Sequence, residues 1–277
     1  MPRFSTGFLT GVLLVACAPA FAAEPVSAPL SAQDWLVKMS EAAKSASYQG
    51  TVVYRGDEML ETFRVTHRFQ NGVERERVQS LTGEPREVEK QGGSTTCLLP
   101  KARRMTVNQQ PTPKGLFPGL TRERVAQIAQ IYEFDDLGTQ LAADRSCRGI
   151  AVTPRDAFRY GYEIWADEQT GVPLKVNMIG REGVTLEQMM FTEVELPANI
   201  PDAAFAGEEQ MAAPSAPLPP AAPSGAEDMA LARLPPGFRV TRRELRPLPN
   251  GRGMVEHILL SDGLSAVSVF SAPWPRA

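Results

Sequence analysis

Residues 153–195 read TPRDAFRYGYEIWADEQTGVPLKVNMIGREGVTLEQMMFTEVE, and this stretch restricts the fold more than any other. Arg159, Gly161, Glu163 and Trp165 alternate with Tyr160, Tyr162 and Ile164. Successive side chains of a strand point to opposite sides, so this run presents two distinct faces. Residues 167–171 carry turn chemistry, with Gly171 free to take the positive φ that closes a tight loop. Residues 173–179 form a second strand, 180–183 a second turn and 184–195 a third strand. Such an aromatic-bearing antiparallel meander must cover one face, and the remaining chain is read as supplying that cover.

Ahead of it, Ser31 is placed to cap a helix whose Trp35, Leu36, Met39 and Ala43 fall on one face. Residues 48–54 are strand-like, and Phe63, Val65, His67 and Phe69 alternate with Arg64, Thr66 and Arg68. Asn71-Gly72 is a strong hairpin signal. Residues 73–81, 86–90 and 95–99 continue the meander, 103–107 add a short strand, and strand structure resumes over 137–152. Between them lies a Pro-rich segment, 110–119, followed by Val125, Ile128 and Ile131 at helical spacing within 122–131. The reading is one many-stranded antiparallel sheet that curls because of its twist, with a cavity on its inner face. The inserted segment is expected to act as a lid, with Leu116, Phe117, Val125 and Ile128 pointing into that cavity and contacting an acyl ligand.

Residues 1–22 contain one positive charge at Arg3, an apolar run and an Ala20-Phe21-Ala22 cleavage pattern, the marks of a secretory signal. Leu14-Val15-Ala16-Cys17 offers the alternative of lipoprotein processing at Cys17. Cleavage after Ala22 removes one Arg and takes the formal charge from −3 to about −4, which gives no footprint for nucleic acid. Cys97 and Cys147 remain, and in an oxidising compartment a disulfide between them is expected, with two buried thiols as the alternative. From residue 203 to 232 the chain turns to Ala, Pro and Ser without periodicity, an extended linker. Beyond it, a small unit over 233–277 is expected to hold strands at 239–245, 254–260 and 264–270.

The search for catalytic chemistry finds no HExxH, CxxC or GxSxG, and neither a cofactor nor an enzymatic activity is expected. His67 and His257 read as polar or satisfied strand residues, and Asp135-Asp136 as a loop rather than a metal site. The second unit is rich in arginine, which suits an anionic partner because guanidinium binds carboxylate and phosphate bidentately. On strict alternation Arg239 and Arg243 share a face opposite Arg242, Glu244 and Arg246, which makes the first two the candidate partner contacts. A solvated basic face is the alternative.

The segments DWLVKMSEAAKSASYQGTVVY at 34–54, HRFQNGVERERVQSLTGEPREV at 67–88, DRSCRGIAVTPRDAFRYGYEIWADEQTGVPLK at 144–175 and LPPGFRVTRRELRPLP at 234–249 together resemble the RseB/MucB family. That resemblance implies an α+β chain. Its residues 23–202 would form a curled, unclosed antiparallel half-barrel with covering helices, similar to the LolA/LolB carriers, followed by a smaller α/β domain. It further implies a periplasmic regulator that binds the periplasmic part of a membrane anti-sigma factor (RseA/MucA-like), shields it from site-1 proteolysis and responds to lipopolysaccharide or another acyl lipid. A lipid or lipoprotein carrier of the LolA/LolB type is the alternative, and a homo-oligomer is compatible with either. In the family the second domain runs on past the position of SVFSAPWPRA, so a shortened second domain is expected here.

Overall fold

The computed structural model describes residues 29–84, 86–92, 94–99, 103–107, 119–197, 199–205, 222–223, 233–247 and 253–271. The first helix, α1 (Ala32–Ser45), starts where the Ser31 hydroxyl accepts from the Asp34 amide at 3.1 Å, satisfying one orphan donor of the first turn. The second, α2 (Arg122–Ile128), is capped in the same way by Thr121. Strands β1 (Tyr48–Gly56), β2 (Met59–Gln70), β3 (Val73–Ser80), β4 (Glu87–Gln91), β5 (Ser94–Leu99) and β6 (Arg103–Val107) form one meander. A second meander comprises β7 (Tyr132–Ala142), β8 (Arg145–Pro154), β9 (Gly161–Asp167), β10 (Pro173–Ile179) and β11 (Thr185–Glu195).

The two meanders join where β1 pairs antiparallel with β11, giving one eleven-stranded sheet in the order β6-β5-β4-β3-β2-β1-β11-β10-β9-β8-β7. The end strands β6 and β7 are not neighbours in that order, so the curled sheet stays open. The strand structure expected over 137–152 is a hairpin of β7 and β8, turned by Ala143 and Asp144 at φ of 49° and 58°. Glycine is the usual resident of such a turn, and its absence hides the hairpin from a sequence reading.

The inner face is divided. Over its β7–β10 half, Trp35, Leu36 and Met39 of α1 pack with Val125 and Ile128 of α2 onto Tyr132, Ile150, Val152 and Ile164. Lys38 fastens α1 to the β9–β10 turn by donating to the Glu168 carbonyl at 2.8 Å. Gly171 in that turn has φ 80°, and a Cβ there would lie 2.8 Å from Lys38 Cγ. The outer face of β2 and β3 is covered by residues 200–205, where Phe205 lies beneath the guanidinium groups of Arg68 and Arg75. Part of the expected linker thus belongs to the first domain.

The second unit is a four-stranded sheet of β12 (Ala222–Pro223), β13 (Arg239–Pro247), β14 (Met254–Ser261) and β15 (Ala266–Ser271) in that order, and no helix occurs among its described residues. Its small core is Phe238, Ile258 and Leu260, with Leu234 and Val269 packed alongside. Leu264, expected in a strand, leaves that sheet and packs against the first domain's core.

A buried ion pair fixes the two units together. Asp262 Oδ2 receives Arg159 Nη1 at 2.6 Å and the Tyr132 hydroxyl at 3.0 Å, while Oδ1 accepts from the amides of Leu264 and Ser265 at 2.8 and 2.7 Å. Arg159 spends its other donors on Asp156, at 3.0 and 2.8 Å, and on the Pro236 carbonyl at 2.7 Å. Both charged side chains are wholly buried. Gly237, at φ 80° and in close approach to Ile131, lets the Pro235–Phe238 turn sit against the first domain.

Removing one member of a buried, hydrogen-bonded pair strands the other, at about 3–5 kcal/mol. Asp262→Ala is therefore expected to lower the unfolding free energy from urea titration by about 3–5 kcal/mol, seen as a lower midpoint, while Arg159→Met/Asp262→Leu recovers part of the loss. A single substitution without effect on the midpoint would show that the pair does not hold the units together.

Candidate functional site

The half of the inner face that the helices leave open carries an apolar groove of about 430 Å³. Strand alternation builds it. The register aligns Val65 with Val78 and Val78 with Val88, and it sets Val52 opposite Phe63, so these side chains share one face. Met189 of β11 completes the wall, with Tyr54, Glu61, Glu76 and Arg86 as its polar members. Arg86 pairs with Glu61 and lies 5.9 Å over the Phe63 ring. Sites of this size that are mostly apolar with a few placed polar groups suit small apolar ligands.

One end of the groove is polar. The register places Tyr48 opposite His67, His67 opposite Glu76, and Glu76 opposite Lys90. The His67 ring is fully buried and stacks on Tyr48 at 4.6 Å. His67, and then Lys90, draw the Glu74 carboxyl down to about 2, whereas desolvation raises that of Glu76. Burial also pushes the Tyr48 hydroxyl well above its usual value.

A second concavity, of about 600 Å³, lies at the joint of the two units between the Ala157–Tyr160 bend, the β10–β11 turn and β15. Its walls include Phe158, Tyr160, Val184 and Val267, which are 63%, 49%, 57% and 45% exposed, beside Arg181 and Ser265. Apolar side chains gathered at such exposure on one rim mark an interaction surface better than the same residues scattered singly.

Of the expected lid residues, Val125 and Ile128 are 1% exposed and belong to the core between α1 and the sheet, so they are not free to line a cavity. Leu116 and Phe117 lie outside the described residues. The groove residues Phe63, Val65, Val78 and Val88 were legible as strand alternation, but nothing in the sequence said which half of the face would stay uncovered.

The expected disulfide is not part of this structure. Cys147 is a free thiol, fully buried in the cluster with Ala142, Trp165, Val172 and Leu174, and burial pushes it up to about 11. Cys97 is on β5, with seven strands between it and β8 in the sheet order, and its side chain lies outside the described residues.

The grouping of the arginines also changes. A bulge between Val240 and Arg242 sets Arg239 opposite Ser261 and Arg242 opposite Leu259, which moves Arg239 onto the face of Arg242, Glu244 and Arg246. Arg239 is exposed, whereas Arg243 is engaged with Glu256 at 3.1 Å. His257 sits between Glu244 and Ser268 at 3.4 and 3.0 Å and stacks on Phe270, a satisfied strand histidine.

With this geometry in hand, comparison with known proteins is specific. The profile of the MucB/RseB N-terminal domain matches residues 31–209, and that of the MucB/RseB C-terminal domain matches residues 223–276. The sigma factor AlgU regulatory protein MucB of Pseudomonas aeruginosa is 33% identical over 254 residues, covering 91% of this chain and 77% of that protein. The sigma-E factor regulatory protein RseB of Salmonella typhimurium is 30% identical, covering 92% of this chain and 80% of that protein. Among solved structures, a complex of Pseudomonas aeruginosa MucA and MucB matches with a TM-score of 0.66 at 31% identity, over 86% of this chain and 79% of that one.

The buried thiol gives a direct check. Cys147 in the native protein is expected to resist an alkylating reagent at pH 7–9, below the elevated value to which burial pushes it. Unfolding without reductant should expose it, and Cys147→Ser should remove one label from the unfolded, unreduced chain. Equal labelling of the two proteins would mean that Cys147 is bonded.

Proposed function

The chain belongs to the MucB/RseB family, and on that premise we propose that it is a periplasmic regulator which binds the periplasmic part of a membrane anti-sigma factor. Bound there, it shields the anti-sigma factor from site-1 proteolysis and so restrains the sigma factor. The family is regulatory and not enzymatic. The observation that carries the reading is the exposed apolar cleft at the locked joint of the two units, since its walls come from both of them. A segment of the anti-sigma factor in that cleft would anchor on Phe158, Tyr160 and Val267, with Arg181 and the exposed Arg239 facing acidic residues.

The inner groove supports the second half of the proposal, a response to lipopolysaccharide or another acyl lipid. Burial of an acyl chain is non-directional and contributes roughly 0.8 kcal/mol for each methylene removed from water. The groove's apolar length and the Arg86 guanidinium beside it match a chain with an anionic head. A carrier of the LolA/LolB type would use the same groove, but the second unit and its buried lock answer to no need of a carrier.

Two sets of substitutions separate the sites. Phe63→Asp/Val78→Asp is expected to weaken binding of a lipid A analogue at least tenfold while leaving anti-sigma binding intact. Phe158→Asp/Val267→Asp should weaken binding of the anti-sigma periplasmic domain by about 2 kcal/mol, the scale of a central apolar anchor. Titration calorimetry of each pair against both ligands reads the outcome. Retained anti-sigma affinity in the second pair would place that interface elsewhere, and retained lipid affinity in the first would vacate the groove.

A further inference from the structure

We propose that His67, Glu74 and Glu76 form a binding site for a divalent transition-metal ion, with Zn²⁺ the best match, at the polar end of the inner groove. One ligand atom from each of the three lies within 4.8 Å of the other two. His67 Nδ1 is 2.8 Å from the Ala46 carbonyl, which can only accept, so Nδ1 donates there and Nε2 is the ring atom turned toward the carboxylates. Nε2 is buried without a hydrogen bond of good geometry and faces Glu74 Oε1 at 3.4 Å. The gap between these two atoms has room for one positive centre, either a proton on the ring nitrogen or a bound cation.

The separation identifies what fits. Two atoms bound to one tetrahedral zinc at about 2.0–2.1 Å stand roughly 3.4 Å apart. Such a spacing is too long for a good hydrogen bond and right for two ligands of a single ion. The support behind the ligand is in place as well. A ligating imidazole commonly donates its other N–H to a carbonyl, as His67 does to Ala46, and Tyr48 holds the ring plane by stacking within 13° of parallel. Glu76 stands directly opposite His67 across β2 and β3. One imidazole and two carboxylates are a donor set that zinc accepts, with a water as fourth ligand.

Lys90 competes for the same position. Its ammonium is 2.6 Å from Glu74 Oε1, and its side chain is 29% exposed. In the ion-free protein it supplies the positive charge that the carboxylate needs. An entering ion takes Oε1, and the long side chain turns to water. The site stands whether or not the groove holds a lipid.

The experiment uses the mature chain, stripped with chelator and titrated with Zn²⁺ by calorimetry and with Co²⁺ by visible absorption. One saturable equivalent of Zn²⁺ and the d–d bands of four-coordinate Co²⁺ are expected. Glu76→Gln and Glu74→Gln should each weaken Zn²⁺ binding at least tenfold, Lys90→Gln should tighten it several-fold, and His257→Gln should leave it unchanged. Thermal melts of the two glutamine variants confirm that they fold. Absence of saturable binding, or affinity unaltered in Glu76→Gln, would overturn the proposal. A loss of affinity in Lys90→Gln would overturn the competition.

Discussion

The carboxylate of Asp262 is the point on which the arrangement of this molecule turns. Burying a charge costs several kcal/mol unless it is paired and its remaining lone pairs are filled, and here each requirement is met by a different part of the chain. Arg159 and Tyr132 come from the first unit, and the Leu264 and Ser265 amides from the second. The same guanidinium then reaches the Pro236 carbonyl and lies 4.9 Å over the Phe238 ring. Two separate turns of the second unit are thus held by one side chain of the first. Such a network is worth most when complete, because each unfilled position would leave a desolvated group behind.

Much of the sheet was legible in the sequence, since the runs read as strands at 63–69 and 173–179 fall within β2 and β10, and most of the run at 159–165 falls within β9. What escaped was governed by contacts rather than pattern. Val125 and Ile128 have the spacing of an amphipathic helix, and spacing says that a face is buried but not against what. The bulge in β13 has no glycine to announce it, yet it moves Arg239 to the other face of its strand. Leu264 reads as the first residue of a strand, but the amides held by Asp262 divert it into the neighbouring core. Arg159 itself looked like one more alternating strand position, and only the fold shows that it faces Asp262.

The division of the inner face explains why one half can hold a ligand. Helices α1 and α2 fill the β7–β10 side with large side chains, among them Trp35, Met39 and Ile128. On the β1–β4 side the strands contribute valines and a phenylalanine with no helix above them among the described residues. The first half is a core in the ordinary sense, close-packed and intolerant of altered volume. The second keeps the apolar character of a core, and the four valines in its walls are branched, stiff residues that hold their shape.

The position of β1 has a consequence for how the chain reaches this state. It is the first strand made, yet it lies in the middle of the sheet and needs β11 as its second neighbour, so that Gly50 meets Val194 and Val53 meets Met190. Every other adjacent pair in the large sheet joins strands consecutive in the chain. The β1–β11 seam alone must wait for the rest of the domain, and contacts between residues so distant in sequence form late and slowly. Until then β1 presents an unpaired edge, the kind of surface that recruits other chains. The rate at which this seam closes, more than the stability of either meander, sets how long the newly made chain stays exposed to aggregation.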